Sequence, residues 1–161
     1  MRIPKIYLET TIFNFPFADD APQYKADAVK LFEEIKAGKF KPYTSGYVII
    51  ELDDTENLEK LEQMKALISD YGVVKIPVSK EAERLASLYV KEGIIPERFL
   101  TDAIHIAAAT VADLDFIVSL NFKHIVKRKT IVGTEVINAR EGYRRVYIHT
   151  PAEVIDYEED S

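Results

Sequence analysis

LTDAIHIAAATVADLDFIVSLN, residues 100–121, decides the fold. Its first half continues a helix expected from about Arg98 to Val111. On a helical wheel Ile104, Ala107, Ala108 and Val111 form one face, while Asp102, His105, Ile106 and Ala109 form much of the other. A helix apolar nearly all round is expected to be buried. The second half, Asp115 to Leu120, reads as a strand. Phe116, Ile117 and Val118 are apolar without alternation, as in a strand covered on both faces of a parallel sheet.

The pattern repeats outward in both directions. Lys5 to Leu8 reads as a strand. Asp20 to Lys36 reads as a helix with Pro22 in its first turn, Ala28, Val29, Phe32 and Ile35 at helical spacing, and Gly38 closing it. Lys41 to Ser45 is a short strand. Val48, Ile49, Ile50 and Leu52 fit strand or helix equally. A helical pattern runs from Asp54 through Ile68 until Gly72 breaks it, and Val73 to Val78 reads as a strand. Ser79 is placed to cap a helix that buries Ala82, Leu85, Ala86 and Tyr89 and stops at Gly93. Beyond residue 121 the chain predicts a helix from Thr134 to Arg140 and a strand from Arg144 to His149. A last helix opens with the capping box Thr150-Pro151-Ala152-Glu153. Strands alternating with helices predict an α/β fold with a mainly parallel sheet in one domain over residues 1–161.

The 161 residues, 47% hydrophobic, hold enough apolar material for one core. The absence of cysteine removes disulfides, thiolate nucleophiles and Cys-ligated zinc, and it fits a reducing, cytoplasmic setting. Glu9 interrupts the first apolar run, so no secretory leader is expected. No stretch is long and apolar enough for a membrane span. The net charge of −6 argues against gripping nucleic acid over the whole surface. The charge is uneven, however. Glu51 to Glu62 is acidic, Lys123 to Arg145 is basic, and Asp156, Glu158, Glu159 and Asp160 make an acidic tail. A basic strip fits either a solvated face or a local nucleic-acid site.

Polar residues stand where a parallel sheet places ligands, beyond the carboxyl ends of strands. Glu9 directly follows the first strand and Asn121 follows Phe116 to Leu120. Asp102 lies in the first turn of a buried helix. Read locally, Thr101 or Asp102 simply caps that helix. Glu51 follows Tyr47-Val48-Ile49-Ile50 and reads either as the edge of a solvated run or as a site acid, with Asp53 and Asp54 as substitutes. Carboxylates gathered from distant segments repel one another unless a cation neutralises them. Oxygen donors with an amide suit Mg²⁺ or Mn²⁺. No zinc-type histidine pairing, glycine-rich phosphate loop or nucleophile elbow is present. A phosphatase of the haloacid-dehalogenase type would want an aspartate where Thr11 stands.

With these positions in view the sequence resembles a PIN domain, the nuclease family that includes the VapC-type toxin ribonucleases. The likeness runs through IYLETT, YVIIEL, LTDAIHIAAAT, FIVSLNFKHI and YIHTPAEVI, in that order. It implies a three-layer α/β/α fold and hydrolysis of single-stranded RNA by a water activated on Mg²⁺ or Mn²⁺, leaving a 5′-phosphate. Glu9, Glu51 and Asp102 match the family's three acids. Asn121 falls where many members have a fourth aspartate, and Thr10 matches a small hydroxyl that binds phosphate or caps the next helix. Glu9 is one methylene longer than the usual aspartate, and Asn121 is neutral. A degenerate PIN-like domain serving as a binding module is therefore the alternative. The resemblance also implies an antitoxin protein partner, a homodimer and no membrane association. Lys123, His124, Lys127, Arg128 and Lys129 would hold phosphates beside the acids. Tyr43, Phe15 and Phe122 are candidates for base stacking, though aromatic residues more often belong to a core. His105 reads as a metal partner of Asp102 or as a packed histidine, and His149 as structural or exposed.

Overall fold

Three consecutive residues of the first strand, Ile6, Tyr7 and Leu8, have no exposed surface. Neighbouring side chains of a strand point to opposite faces, so both faces of the sheet are covered at its centre. The structure is a computed structural model and describes residues 2–155; the acidic tail read at Asp156, Glu158, Glu159 and Asp160 lies outside them. The chain runs β1 (Lys5–Leu8), α1 (Thr10–Asn14), α2 (Pro22–Lys36), β2 (Lys41–Ser45), α3 (Gly46–Leu52), α4 (Leu58–Asp70) and β3 (Val74–Ile76). It continues with α5 (Lys80–Lys91), α6 (Leu100–Val111), β4 (Phe116–Val118), α7 (Arg128–Arg140), β5 (Tyr147–His149) and α8 (Pro151–Val154).

The sheet is parallel throughout, in the order β3-β2-β1-β4-β5. Helices complete a three-layer α/β/α architecture. In register, Ile6 stands beside Pro42 on one flank and beside Phe116 on the other. The chain winds from β1 through β2 to β3, then returns to the opposite flank for β4 and β5. The switch point therefore lies at the carboxyl ends of β1 and β4, where crevices form in such sheets.

Local signals explain most boundaries. Pro22 opens α2, and Gly38 after it has φ of 83°, a left-handed conformation that suits glycine. The Ser79 side chain accepts the Ala82 backbone N–H, and Glu153 closes the capping box on Thr150. Other boundaries differ from expectation. Val48 to Leu52 resolves as helix α3, which moves Glu51 off a strand end and onto a helix. The Asn57 side chain caps α4, so that helix starts four residues later than its apolar pattern suggests. Helix α7 starts at Arg128 rather than Thr134; its first turn carries no acid, so the usual start signal is missing. Neither Thr101 nor Asp102 caps α6, whose N-cap Phe99 makes no side-chain bond. Asp102 is instead a buried acid in the first turn.

The far end of the central strands is pinned by Asp115. Its carboxylate accepts the Lys5 backbone N–H at 2.8 Å and pairs with Arg2 at 2.6 Å and Arg144 at 3.0 Å. Burial opposes its ionisation, but these donors outweigh burial and hold its pKa below the ordinary value of 3.8. A lowered carboxylate pKa stabilises the fold above the ordinary value, and that stability is lost as pH falls through the folded one. Asp115→Asn is expected to lower unfolding free energy at pH 7 by about 1–2 kcal/mol. The difference from wild type should shrink toward zero only as pH falls through the lowered folded pKa, itself below 3.8, where the native aspartate takes up its proton. Urea titrations at neutral pH and through that acid range check this.

Candidate metal centre

Glu9 follows β1 immediately, and its backbone N–H still reaches Val118 of β4 at 3.2 Å. The chain turns there into α1, and Glu9 is the N-cap of that helix. Its Oε1 accepts the Thr11 backbone N–H at 3.2 Å, the Thr11 hydroxyl at 2.6 Å and the Ser119 hydroxyl at 2.7 Å. The Thr11 oxygen in turn receives the Leu120 N–H at 2.8 Å. These bonds stitch the ends of β1 and β4 together around one carboxylate, which is 2% exposed.

Glu51 arrives from the last turn of α3 with its side chain one-third exposed. Its Oε1 accepts the Thr10 hydroxyl and lies 2.7 Å from Nε2 of His105. Thr10 thus holds an acid, and the side chain that caps α1 is that of Glu9. His105, three residues beyond Asp102 on α6, has no exposed surface. Its Nδ1 lies 2.7 Å from the Tyr7 hydroxyl, which lies 2.7 Å from the Ser45 hydroxyl. A buried chain Ser45–Tyr7–His105 therefore fixes the imidazole, and the imidazole fixes Glu51. Sequence reading weighed His105 as a metal partner of Asp102 or as a histidine packed behind the site acids, and it missed Tyr7 and Ser45 as the groups that hold it and Ser119 as a partner of Glu9. A signal did exist: a histidine in a helix apolar all round must find partners.

Asp102 is 8% exposed and feels the charges of His105, Glu51 and His124. The Asn121 side chain interacts with its carboxylate. Asn121 Oδ1 accepts the His124 backbone N–H at 3.0 Å, which leaves that oxygen one lone pair for another partner. His124 is half-buried against Phe99, with ring centroids 3.8 Å apart. Lys123 and Lys127 are exposed, and among the described residues no ion pair engages either.

The electrostatics follow from this packing. Burial pushes the Glu9 pKa up, against the His105 charge and the hydroxyl donors. Burial and the Glu51 charge also raise Asp102, with His105, His124 and Asn121 opposing. Burial acts on Glu51 in the same sense, but the His105 bond and charge and the Thr10 hydroxyl outweigh it, leaving Glu51 below its ordinary value. His105 is disfavoured as a cation by burial; Glu51, Glu9 and Asp102 reverse that and raise its pKa. Protonation of His105 is thus favoured by the acids that surround it.

Donor atoms of Glu9, Glu51 and His105 lie within 4.8 Å of one another, close enough to share one cation. The bond pattern refines that set. Both His105 nitrogens are already engaged, by Tyr7 and Glu51, so His105 is better built to orient Glu51 than to ligate. The bonds to Glu9 and Glu51 all fall on one oxygen of each carboxylate. The second oxygen of each remains for a metal. Oxygen donors of this kind fit Mg²⁺ or Mn²⁺.

No protein-family model matches the chain, and no curated protein matches it. Among solved structures the chain is similar to one in the crystal structure of VapBC2 from Rickettsia felis, bound to a DNA fragment from their promoter. The TM-score is 0.56 at 12% sequence identity, over 91% of this chain and 98% of that one. At that identity the likeness extends to the fold.

A raised carboxyl pKa means that the ionised form works against folding. Glu9→Gln keeps the acceptor for Thr11 and Ser119 and removes the charge. At neutral pH the variant is expected to melt higher than wild type, by about 2–4 °C for each kcal/mol relieved. The advantage should vanish in acid, where wild-type Glu9 is protonated in both states. Calorimetry across pH tests this, and a lower melting temperature at pH 7 would contradict it.

Proposed function

We propose that the chain is a divalent-metal-dependent endoribonuclease that hydrolyses phosphodiester bonds in single-stranded RNA. The observation that carries this reading is the convergence of Glu9 and Glu51, each with one oxygen uncommitted, at the switch point of a parallel sheet. The likeness in fold to a chain of the VapBC2 structure supports it. In this reading Glu9, Glu51 and Asp102 hold the metal, with Asn121 assisting. Bound Mg²⁺ or Mn²⁺ supplies Lewis acidity toward phosphorus and lowers the pKa of an attacking water. Thr10 and His105 keep Glu51 aimed. His124 follows Asn121 closely and is stiffened by its stack on Phe99, which suits it to a phosphate oxygen.

Lys123, Lys127, Arg128 and Lys129 bind the flanking phosphates. Lys127 stands at the N-cap position of α7 without a side-chain cap bond, and Arg128 and Lys129 occupy its first turn. Cations there oppose the helix dipole, by about 0.3–1 kcal/mol each. A phosphate chain passing over the helix start turns that local penalty into attraction. An antitoxin protein partner and a homodimeric assembly complete the proposal; the resemblance of the sequence to a PIN domain implies both, and the fold likeness to a chain of the VapBC2 structure supports the first. Among the described residues, no helix is long and apolar enough to cross a membrane.

One observation favours the second reading, a catalytically degenerate binding module. His105 and the hydroxyls already hold one oxygen of Glu51 and of Glu9 without a metal. Mn²⁺ titration followed by paramagnetic broadening separates the two. Broadening centred on Glu9, Glu51, Asp102 and Asn121, and lost in Asp102→Asn, supports the nuclease; no focused broadening supports the module.

Cleavage of single-stranded RNA is expected with Mn²⁺ or Mg²⁺ and not with EDTA. Glu51→Gln and Asp102→Asn are expected to lower the rate by at least about 100-fold while remaining folded, a loss like that from removing one electrostatic stabiliser. Cleavage that persists in EDTA, or in both variants, would refute the assignment. Removing the charges of Lys123 and Lys127 should flatten the plot of log binding constant against log salt by about 0.7 per cation. Filter binding at several salt concentrations measures that slope.

A further inference from the structure

Among the described residues Phe122 is the one phenylalanine that stays exposed, at 44%, and Tyr24 beside it is 41% exposed. Their ring centroids are 5.6 Å apart. Phe15 meets Tyr24 edge-on at 5.6 Å and is partly buried against the core, which anchors the group. The three rings come from separate parts of the chain: the turn after α1, the first turn of α2, and the loop after β4. Tyr43, also a stacking candidate by sequence, lies in β2, packed against the core.

We propose that Phe15, Tyr24 and Phe122 form a platform on which a nucleobase of a single-stranded oligonucleotide stacks beside the acid cluster. The inference rests on the nuclease reading and adds a base-binding subsite to it. Three observations carry it. The first is position. Phe122 directly follows Asn121, which interacts with Asp102, and Phe15 directly follows the helix that begins with Thr10. Phe122 is thus next in the chain to a neighbour of Asp102, and Phe15 is one short helix from Thr10. The second is chemistry. Exposed rings offer π faces, and every base has one to match, so stacking needs no particular sequence.

The third observation is charge. Lys123 adjoins Phe122, and Lys127, Arg128 and Lys129 follow; among the described residues none of the four is in an ion pair. Lys25, near Tyr24, is held by Asp19 at 2.5 Å and is not counted. Rings beside unpaired cations fit a base with its phosphates. Protein interfaces favour Tyr and Phe but are depleted of lysine, so it is the unpaired lysines beside the rings that favour an oligonucleotide over a protein.

The test uses the full chain and a fluorescent uridine oligomer, with EDTA to hold cleavage off. Phe122→Ala and Tyr24→Ala are each expected to weaken binding by about 5- to 100-fold. The chain has no tryptophan, so Phe122→Trp introduces a single indole reporter. It should keep wild-type affinity, and its emission should be quenched by the oligomer and not by an abasic oligomer of equal length and charge. Unchanged affinity in both alanine variants, or equal quenching by the abasic oligomer, would overturn the platform. So would self-association that Phe122→Ala abolishes while oligomer binding stays intact, which would assign the rings to a second copy. If the platform fails this way while metal-dependent cleavage persists, the nuclease reading stands. If no oligomer binds and none is cleaved, both readings fall.

Discussion

A carboxylate with almost no exposure sits at the end of the central strand, and much of the neighbouring structure answers to it. An ionised buried acid needs hydrogen bonds and counter-charge. Glu9 receives bonds from Thr11 and Ser119, and these tie the start of α1 to the end of β4. It also lies in the field of His105, which arrives from α6. The backbone turn out of β1, the register of β4 and the burial of α6 are therefore coupled through one side chain. A cap of this kind is an ordinary helix start; burial, charge and company set this one apart.

The second acid is held by a different device. Glu51 is pinned on one oxygen by Thr10 and His105, and His105 is pinned by Tyr7 and Ser45. This chain passes through the middle of the sheet, since Tyr7 belongs to β1 and Ser45 ends β2. The carboxylate that is more exposed is thus oriented from the core, as precise ligand placement requires. Asp102 and Glu9 are pushed toward neutrality by burial while Glu51 is pulled toward ionisation by the imidazole. The acids thus sit in divergent environments set by burial on one side and by the histidine on the other.

Strand and helix boundaries were legible wherever a local rule applied. Lys5 to Leu8 and Lys41 to Ser45 match their strands, and Pro22, Ser79, Gly38 and the Thr150 capping box mark helix ends. Where no local rule applied, reading failed in understandable ways. Val48 to Leu52 is short and apolar, and periodicity cannot separate strand from helix over such a span. The start of α7 carries cations where acids are usual, so the helix looked shorter than it is. Asp102 looked like a cap because the first turn of a helix is where caps belong; only packing against Asn121, His105 and Glu51 gives it another setting.

The sequence by itself determined the alternation of strand and helix, the burial of the helix over residues 102–110 and the acids worth watching, because period and local charge are properties of adjacent residues. Only the tertiary structure decided which partners those acids have. Glu9 meets Ser119 across 110 positions and Glu51 meets His105 across 54. Those pairings depend on the order in which parallel strands lie side by side, and on which wall of α6 faces the sheet. No window along the chain contains that information. The same holds for the exposed rings: Phe15 and Phe122 were stacking candidates by sequence, but only the fold sets Tyr24 between them.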